Sequence, residues 1–302
     1  MSSHDRSWTT RLMVIAPYAW LLVFFLLPFL IVLKISLSQS TLTSPPYEPL
    51  LDPAAGWEGL KAFLGALSLD NYASLFADAI YRWSYLKSIE VAAISTAILL
   101  LIGYPVAYAL ARTPRRIQGV LVMLVVLPFW TSFLIRVYAW VNILQRDGLL
   151  NQALLALRII DEPTTWLATD TGVYIGLIYS YFPFMVLPLY AALERMDETL
   201  REAAADLGCP PWKTFLLVTV PLSLPGIVAG CLLCFIPILG EFVIPDLLGS
   251  SATLMIGQTL WTEFFLNKDW PVASAVAVAL LLLLLIPIMI YQRLQVRDLE
   301  SR

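Results

Sequence analysis

Residues 201–222 read REAAADLGCPPWKTFLLVTVPL and lie between two long apolar segments of the chain. Charged side chains and a run of alanines make this stretch too polar for the hydrocarbon core of a membrane. We therefore interpret it as a loop in water that connects two membrane-spanning segments.

The composition of the whole chain supports a membrane protein. Hydrophobic residues make up 59% of the 302 residues, charged residues only 14%, and the mean hydropathy is +0.78. A soluble domain of this length cannot bury so much apolar surface in one core. The net charge is −3 and the Lys and Arg residues are scattered, so the sequence has no nucleic-acid-binding footprint.

Apolar runs without charged residues predict an all-α membrane protein with six transmembrane helices. We expect one transmembrane domain over residues 1–302. The first run is longer than the core of a signal peptide, so we read it as an uncleaved helix. The predicted helices are 12–36, 88–111, 117–137, 171–193, 214–244 and 271–291, with a polar loop at 195–221. Pro221, Pro225 and Pro237 predict a kink in the fifth helix.

The distribution of Lys and Arg predicts the orientation in the membrane. With the N-terminus inside, the larger share of these residues falls on the cytoplasmic side, and the turn from Arg112 to Arg116 is the strongest signal. Both termini and the 195–221 loop are therefore expected in the cytoplasm.

The loop itself predicts a short helix with a small apolar face. Asp197 is placed to cap its start, Gly208 suits a left-handed residue after its end, and Pro210 and Pro211 stop it. Apolar residues recur at helical spacing, at Leu200, Ala203, Ala204 and Leu207. A flat methyl face with a charged rim allows another protein surface to approach closely.

Two other interpretations of the loop are possible. An amphipathic connector on lipid headgroups usually carries bulky apolar and basic residues, whereas this helix has alanines and mostly acids. Gly208, Lys213 and Thr214 imitate part of a phosphate-binding loop, but the second glycine is missing and Pro210 and Pro211 lack N–H groups. We therefore expect no bound nucleotide.

The sequence contains few residues of the types that catalysis, metal binding and redox chemistry require. The single histidine, His4, lies in the N-terminal tail. Cys231 and Cys234 lie in an apolar run, where we interpret them as small packing residues of one helix face. The sequence therefore predicts a protein that is not an enzyme and needs no cofactor.

The loop resembles the EAA loop of bacterial ABC importer permeases. The matching pattern is Glu202-Ala203-Ala204, three residues, Gly208, nine residues, and then Val218-Thr-Val220-Pro221, where the family pattern ends in I-x-L-P. The resemblance implies the type I importer permease fold and a helix that sits in a cleft of a separate ATPase subunit. The coupling residues that it implies are Glu202, Ala203, Ala204, Asp206 and Gly208.

Other stretches resemble permease subunits of putrescine and spermidine importers. They are LPFWTSFLIRVYAW (127–140), LIYSYFPFMVLPLYAALERMD (177–197), GEFVIPDLLG (240–249) and NKDWPVASAVAVA (267–279). The resemblance implies an inner-membrane subunit that translocates a polyamine, putrescine first and spermidine next. The partners that it implies are a second homologous permease, two cytoplasmic ATPase subunits and a periplasmic polyamine-binding protein, besides membrane lipid.

A candidate substrate pathway follows from the predicted depth of charged and aromatic residues. Glu90, Arg136, Glu241 and Asp246 fall near the outer interface, where acids could ring an entrance. Trp130 and Tyr179 lie deeper at similar levels, and aromatic faces attract ammonium groups. The same residues also suit ordinary roles, with Arg136 paired to an acid and the aromatic residues at the membrane interface.

Alternative functions remain open from the sequence. The sequence does not distinguish a polyamine permease from an ABC permease for another small solute, and a carrier or channel that works without an ATPase would also permit a charged entrance. An integral-membrane enzyme is a third class, against which the lack of a nucleophile and base pair counts. The 195–221 loop favours the ATP-driven importer, because a carrier does not need it.

Overall fold

The computed structural model describes residues 15, 17–50 and 56–300, apart from the side chains of Leu60 and of residues 290–300. The predicted start of the first helix at residue 12, and His4, lie outside the described residues.

The described residues are mostly α-helical. A π-helical segment, Leu22–Leu26, leads into the α-helix Leu27–Ser36. Two strands of two residues each then form an antiparallel hairpin that pairs Gln39 with Glu48 and Ser40 with Tyr47. The helices and strands are α1 (Leu27–Ser36), β1 (Gln39–Ser40), β2 (Tyr47–Glu48), α2 (Gly56–Ala66), α3 (Asp70–Ala77), α4 (Ala79–Arg112), α5 (Arg115–Val126), α6 (Phe133–Ile143), α7 (Leu149–Ala156), α8 (Asp170–Glu194), α9 (Thr199–Asp206), α10 (Pro211–Thr214), α11 (Val220–Leu222), α12 (Leu224–Leu239), α13 (Val243–Leu248), α14 (Ile256–Trp261) and α15 (Trp270–Glu300).

The six predicted membrane spans are present if each of two bent helix pairs is counted as one span. Four continuous segments are long and apolar enough to cross a membrane, namely Pro17–Ser36, Ala79–Arg112, Asp170–Glu194 and Trp270–Met289. The bent pairs are Arg115–Trp130 with Phe133–Ile143, at 89°, and Pro211–Leu222 with Leu224–Leu239, at 65°.

The third predicted helix, 117–137, is not continuous. The α-helix ends at Val126, and Pro128 lies in a 3₁₀ turn, Leu127–Trp130, that follows it. Thr131 is extended, with φ −97° and ψ 153°, and α6 begins at Phe133. Pro128 has no backbone N–H to continue the hydrogen bonds of the α-helix, and the charge-free run therefore contains a break that its length does not reveal.

The fifth predicted helix, 214–244, is divided as its prolines predict. A π-helical segment, Phe215–Thr219, precedes α11, and the break falls at Ser223, between Pro221 and Pro225. The helix ends at Leu239, and α13 follows as a separate short helix. The predicted kink is therefore confirmed, whereas the predicted end at 244 is wrong.

The second predicted helix, 88–111, is longer than expected because α4 begins at Ala79. Charged residues such as Arg82 and Lys87 mark the end of the apolar run but do not end a helix. The preceding segment contains two short helices, α2 and α3, together with the β1–β2 hairpin.

The chain falls into two compact units, residues 1–82 with 260–283, and residues 83–259 with 284–302. Within the first unit, the Lys34 ammonium lies 4.8 Å from the ring centroid of Tyr47 and 5.3 Å from that of Phe63. The Asn71 side-chain amide donates to the carbonyls of Ser36 and Ser38, at 2.9 and 2.7 Å. These contacts hold the end of α1 against the hairpin and the α2–α3 region.

The core of the second unit is the contact between α8 and α12. Gly226, Gly230 and Cys234 repeat every four residues on α12, so they lie on one helix face. A Cβ atom added to Gly226 would lie 2.5 Å from Ala192 Cβ, and the Cys234 thiol lies 3.6 Å from the carbonyl oxygen of Tyr181. Small residues therefore let the two backbones approach closely, as is common between membrane helices. Cys209, Cys231 and Cys234 are free thiols, and buried Cys234 has the packing role predicted for it.

Candidate coupling loop and substrate pathway

The coupling helix α9 begins as predicted, with an aspartate cap. The backbone N–H of Thr199 donates to Asp197 Oδ1 at 3.0 Å. Hydrogen bonds from Thr199 hold the pKa of the Asp197 carboxyl below its usual value. The carboxylate therefore satisfies a backbone donor that the helix leaves free at its first turn.

The end of α9 has the geometry that the sequence predicts for Gly208. This residue has a φ of +77°, in the left-handed region. Its N–H donates to the Ala205 carbonyl at 2.8 Å, and the N–H of Cys209 donates to the Ala204 carbonyl at 3.0 Å. This pair of hydrogen bonds is a Schellman motif, which satisfies the last carbonyls of the helix and turns the chain away from it.

The apolar face of α9 is exposed. None of the residues of α9 is buried, and Ala203 is exposed while Ala204 is half-buried. Leu200 is 47% exposed, and Leu207, immediately after the helix, is 88% exposed. We name Leu200, Ala203, Ala204 and Leu207 the coupling face. An exposed apolar face on a short helix is typical of a surface that another protein covers.

The rim of the coupling face is charged. Glu202 and Asp206 are exposed, and Arg201 forms an ion pair with Glu198 on the first turn. Leu207 belongs to the predicted apolar stripe but not to the predicted coupling residues.

The loop is joined to the transmembrane helices through Phe215. Its ring meets those of Tyr104 and Tyr108 on α4 edge to face, with centroids 5.5 and 5.6 Å apart. The Tyr104 hydroxyl is also 2.8 Å from the Ser223 hydroxyl, at the break between α11 and α12. These contacts connect the end of the loop to α4 and to the break in the fifth span.

A cavity of about 570 Å³ lies between α6, α8 and α12. Its lining residues are Phe129, Phe133, Arg136, Ser180, Tyr181, Phe184, Leu232, Leu233, Ile236 and Pro237. Volumes of this size are typical of ligand sites in proteins. Of the predicted pathway residues, only Arg136 lines this cavity.

Glu241 is buried next to the cavity and is not an exposed entrance residue. It is 9% exposed, and its Oε2 accepts a hydrogen bond of 2.7 Å from the hydroxyl of the cavity-lining Tyr181. Its Oε1 accepts from the backbone N–H groups of Phe242 and Val243, at 3.2 and 3.0 Å, at the start of α13. Asp246, one turn further along α13, is exposed as expected. The two acids thus lie in different surroundings.

Trp130 and Tyr179, which were predicted at similar depth, have no ring contact with each other in the described structure. Trp130 is 70% exposed, in the 3₁₀ turn after α5. Tyr179 instead meets Trp140 of α6, with centroids 5.4 Å apart. The sequence analysis missed Trp140 and Tyr181, since only the fold shows which aromatic residues adjoin Tyr179 and Glu241.

Glu90 forms an ion pair with Lys87. Lys87 lies 3.4 Å from Glu90 Oε1 and 2.8 Å from Asp170 Oδ2, which ties α4 to the start of α8. Asp170 also accepts a hydrogen bond from the Thr253 hydroxyl. Of the ion pairs among the described residues, none includes Arg136. The expected pairing of Arg136 with one of the acids is therefore not present.

Comparison with known proteins defines the class. Residues 100–301 match the family described as "Binding-protein-dependent transport system inner membrane component". The chain belongs to this family, and it is a multi-pass inner-membrane permease subunit of an ABC importer, in which ATP hydrolysis resides in a separate subunit.

Individual relatives and solved structures agree with the class. The chain is 38% identical to the spermidine/putrescine transport system permease protein PotB of Haemophilus influenzae, over 91% of this chain and 90% of the relative. It is 42% identical to the PotB protein of Salmonella typhimurium, over 75% and 78%. A bacterial alginate ABC transporter, in complex with a periplasmic protein that binds alginate pentasaccharide, matches with a TM-score of 0.70 and 16% identity, over 97% and 96% of the two chains. This structural likeness shows the type I importer permease fold.

Proposed function

We propose that this chain translocates a polyamine, putrescine first and spermidine next, across the inner membrane. A periplasmic binding protein delivers the solute, and two cytoplasmic ATPase subunits and a second homologous permease complete the importer. The polyamine relatives support the substrate class. The buried Glu241 carboxylate, which accepts a hydrogen bond from the Tyr181 hydroxyl, is the observation that carries it here.

Coupling in this proposal starts at the coupling face. Its small and exposed apolar side chains fit a cleft on the ATPase, and the Asp197 and Gly208 caps fix the helix that presents them. Closure of the ATPase pair moves the loop. The contact of Phe215 with Tyr104 and Tyr108 passes that movement to α4.

Recognition of a diamine requires negative charge and surfaces that release the cation again. Asp246 is exposed and raises the local concentration of cations, whereas buried Glu241 acts at short range. The aromatic rings of Tyr179, Trp140 and Trp130 offer weak sites worth about 0.5–2 kcal/mol each. Such sites attract an ammonium group without trapping it.

Glu241→Gln is expected to raise the half-saturating putrescine concentration about tenfold at every salt concentration. The glutamine oxygen can accept both backbone N–H bonds and its amide can donate to the Tyr181 oxygen, so mainly the charge is lost. A charge-assisted hydrogen bond contributes roughly 1.5 kcal/mol, which is about tenfold in affinity. Salt screens a buried charge only weakly.

Asp246→Asn is the matched variant for an exposed charge. It should weaken uptake mainly at low salt, where screening is least. The measurement is uptake of radiolabelled putrescine across substrate and salt concentrations, at membrane abundance matched by immunoblot. Normal uptake in both variants would remove these acids from the pathway.

Trp130→Leu is expected to lower the maximal rate of putrescine uptake about threefold, even at saturating substrate. The change keeps an apolar side chain and removes the aromatic face that attracts a cation. Trp140→Leu, which breaks the Tyr179 contact, is the comparison. If Trp130→Leu has the wild-type maximal rate and Trp140→Leu has a lower one, Trp130 lies at the lipid interface, and Trp140 and Tyr179 are the aromatic pair of the pathway.

A further inference from the structure

Arg136 is a buried cation in the first turns of α6. Only 9% of its surface is exposed, and it is one of the residues that line the cavity between α6, α8 and α12. A charged side chain that is removed from water is costly unless hydrogen bonds or an opposite charge replace the lost hydration.

The guanidinium of Arg136 lacks such partners. Its Nε and Nη1 atoms are buried and have no hydrogen-bond acceptor among the described residues. The ring centroids of Phe129 and Phe133 lie 4.7 and 5.9 Å away, and these rings provide only part of the compensation. Glu241 does not pair with it, since no ion pair among the described residues joins the two, and Glu241 instead accepts bonds from Tyr181 and two backbone N–H groups.

The cavity beside Arg136 has the composition of a site for an amphiphile. Apart from Arg136, Ser180 and the hydroxyl of Tyr181, its walls are aromatic and aliphatic. The positive charge of Arg136, which no ion pair among the described residues neutralises, matches the negative charge of a phosphate or carboxylate. The apolar walls match a hydrocarbon chain, which a free inorganic anion lacks.

We propose that this cavity binds an anionic phospholipid, with the phosphate at Arg136 and an acyl chain along Phe184, Leu233 and Ile236. The chain lies in the inner membrane, so phospholipid surrounds the spans between which the cavity lies. A volume of about 570 Å³ holds a headgroup phosphate and a segment of acyl chain, whereas one acidic side chain from a partner permease fills only a small part of it. The site is independent of which solute is transported.

The test measures how much phospholipid the importer complex retains after purification in detergent. The full-length chain is produced with the transport subunits from its own operon, stripped of lipid, and titrated with phosphatidylglycerol or with zwitterionic phosphatidylethanolamine. Native mass spectrometry counts bound lipids, and thermal unfolding reports stabilisation. Inorganic phosphate is titrated in a separate arm.

Wild type should retain phosphatidylglycerol at least tenfold better than Arg136→Met, which keeps the side-chain length without the charge. Arg136→Lys should bind at an intermediate level, since it keeps the charge with fewer fixed donors. Arg116→Met, which removes an exposed arginine at the start of α5, is the matched control and should behave as wild type.

Equal retention of phosphatidylglycerol by Arg136→Met and wild type would overturn the proposal. Equal binding of phosphatidylethanolamine by wild type, or equal stabilisation by inorganic phosphate, would also overturn it. If wild type retains no lipid and Arg136→Lys loses the second permease on purification, the acceptor is an acidic group of that partner and the lipid site is wrong. Should Arg136→Met fail to accumulate, the comparison of Arg136→Lys with wild type decides the outcome.

Discussion

Gly208→Val is expected to cut solute uptake about tenfold or more while the chain remains in the membrane. Gly208 has a φ of +77°, a conformation that costs an L-residue about 1–2 kcal/mol and a β-branched residue more. A Cβ atom at this position would meet nothing within 4 Å, so the effect comes from the backbone and not from a clash. Relief of the strain breaks the hydrogen bonds from Gly208 and Cys209 that end α9, and the coupling face is no longer held in one orientation.

Gly56→Val is the matched control for this variant. Gly56 also has a positive φ, +56°, and open space around its Cα, but it lies at the start of α2, outside the loop. Uptake and co-purification of the ATPase are measured for both variants at equal membrane abundance. We expect Gly208→Val alone to lose both. Undiminished uptake with a bound ATPase in Gly208→Val would show that the loop is not the coupling site.

Gly226→Val is expected to remove most of the protein from the membrane fraction. An added Cβ would lie 2.5 Å from Ala192 Cβ and 2.9 Å from the carbonyl oxygen of Pro188 on α8. Neither neighbour is the end of a flexible side chain, so α12 must move away from α8. Overpacking of this kind costs about 1–3 kcal/mol or more, and here it acts on the core contact of the 83–259 unit.

Gly119→Val gives the same change without the clash. Gly119 lies within α5, and a Cβ atom there would meet nothing within 4 Å. Immunoblots of the membrane fraction and thermal unfolding of the purified chain compare the two. A Gly226→Val protein that is as abundant and as stable as Gly119→Val would contradict the close packing of α8 and α12.

The coupling helix was predictable because its signals are local. Asp197, Gly208 and the prolines after it each specify a backbone conformation within a few residues, and the structure places Asp197 and Gly208 as predicted. The kink of the fifth span is of the same kind, since Pro221 and Pro225 flank its break at Ser223. For these features, sequence spacing alone determines the geometry.

The substrate pathway was less predictable because it depends on contacts between distant segments. Depth along a span placed Glu241 at an open entrance, but it does not show that Tyr181, sixty positions earlier, covers the carboxylate. Depth also placed Trp130 and Tyr179 at a similar level, but it does not show that the ring next to Tyr179 is that of Trp140, on the helix that follows the break at Thr131. A run of apolar residues contains no direct sign of that break other than Pro128.

Reconstitution in liposomes tests the central claim, that this chain is the membrane subunit of an ATP-driven polyamine importer. The chain is inserted alone, or with the permease and ATPase subunits from its own operon, and the binding protein and radiolabelled putrescine are supplied outside. We predict putrescine uptake only by the complete assembly, and only with ATP on the ATPase side and the binding protein present. Putrescine uptake by the chain alone, without ATP, would contradict the account and identify an independent carrier or channel.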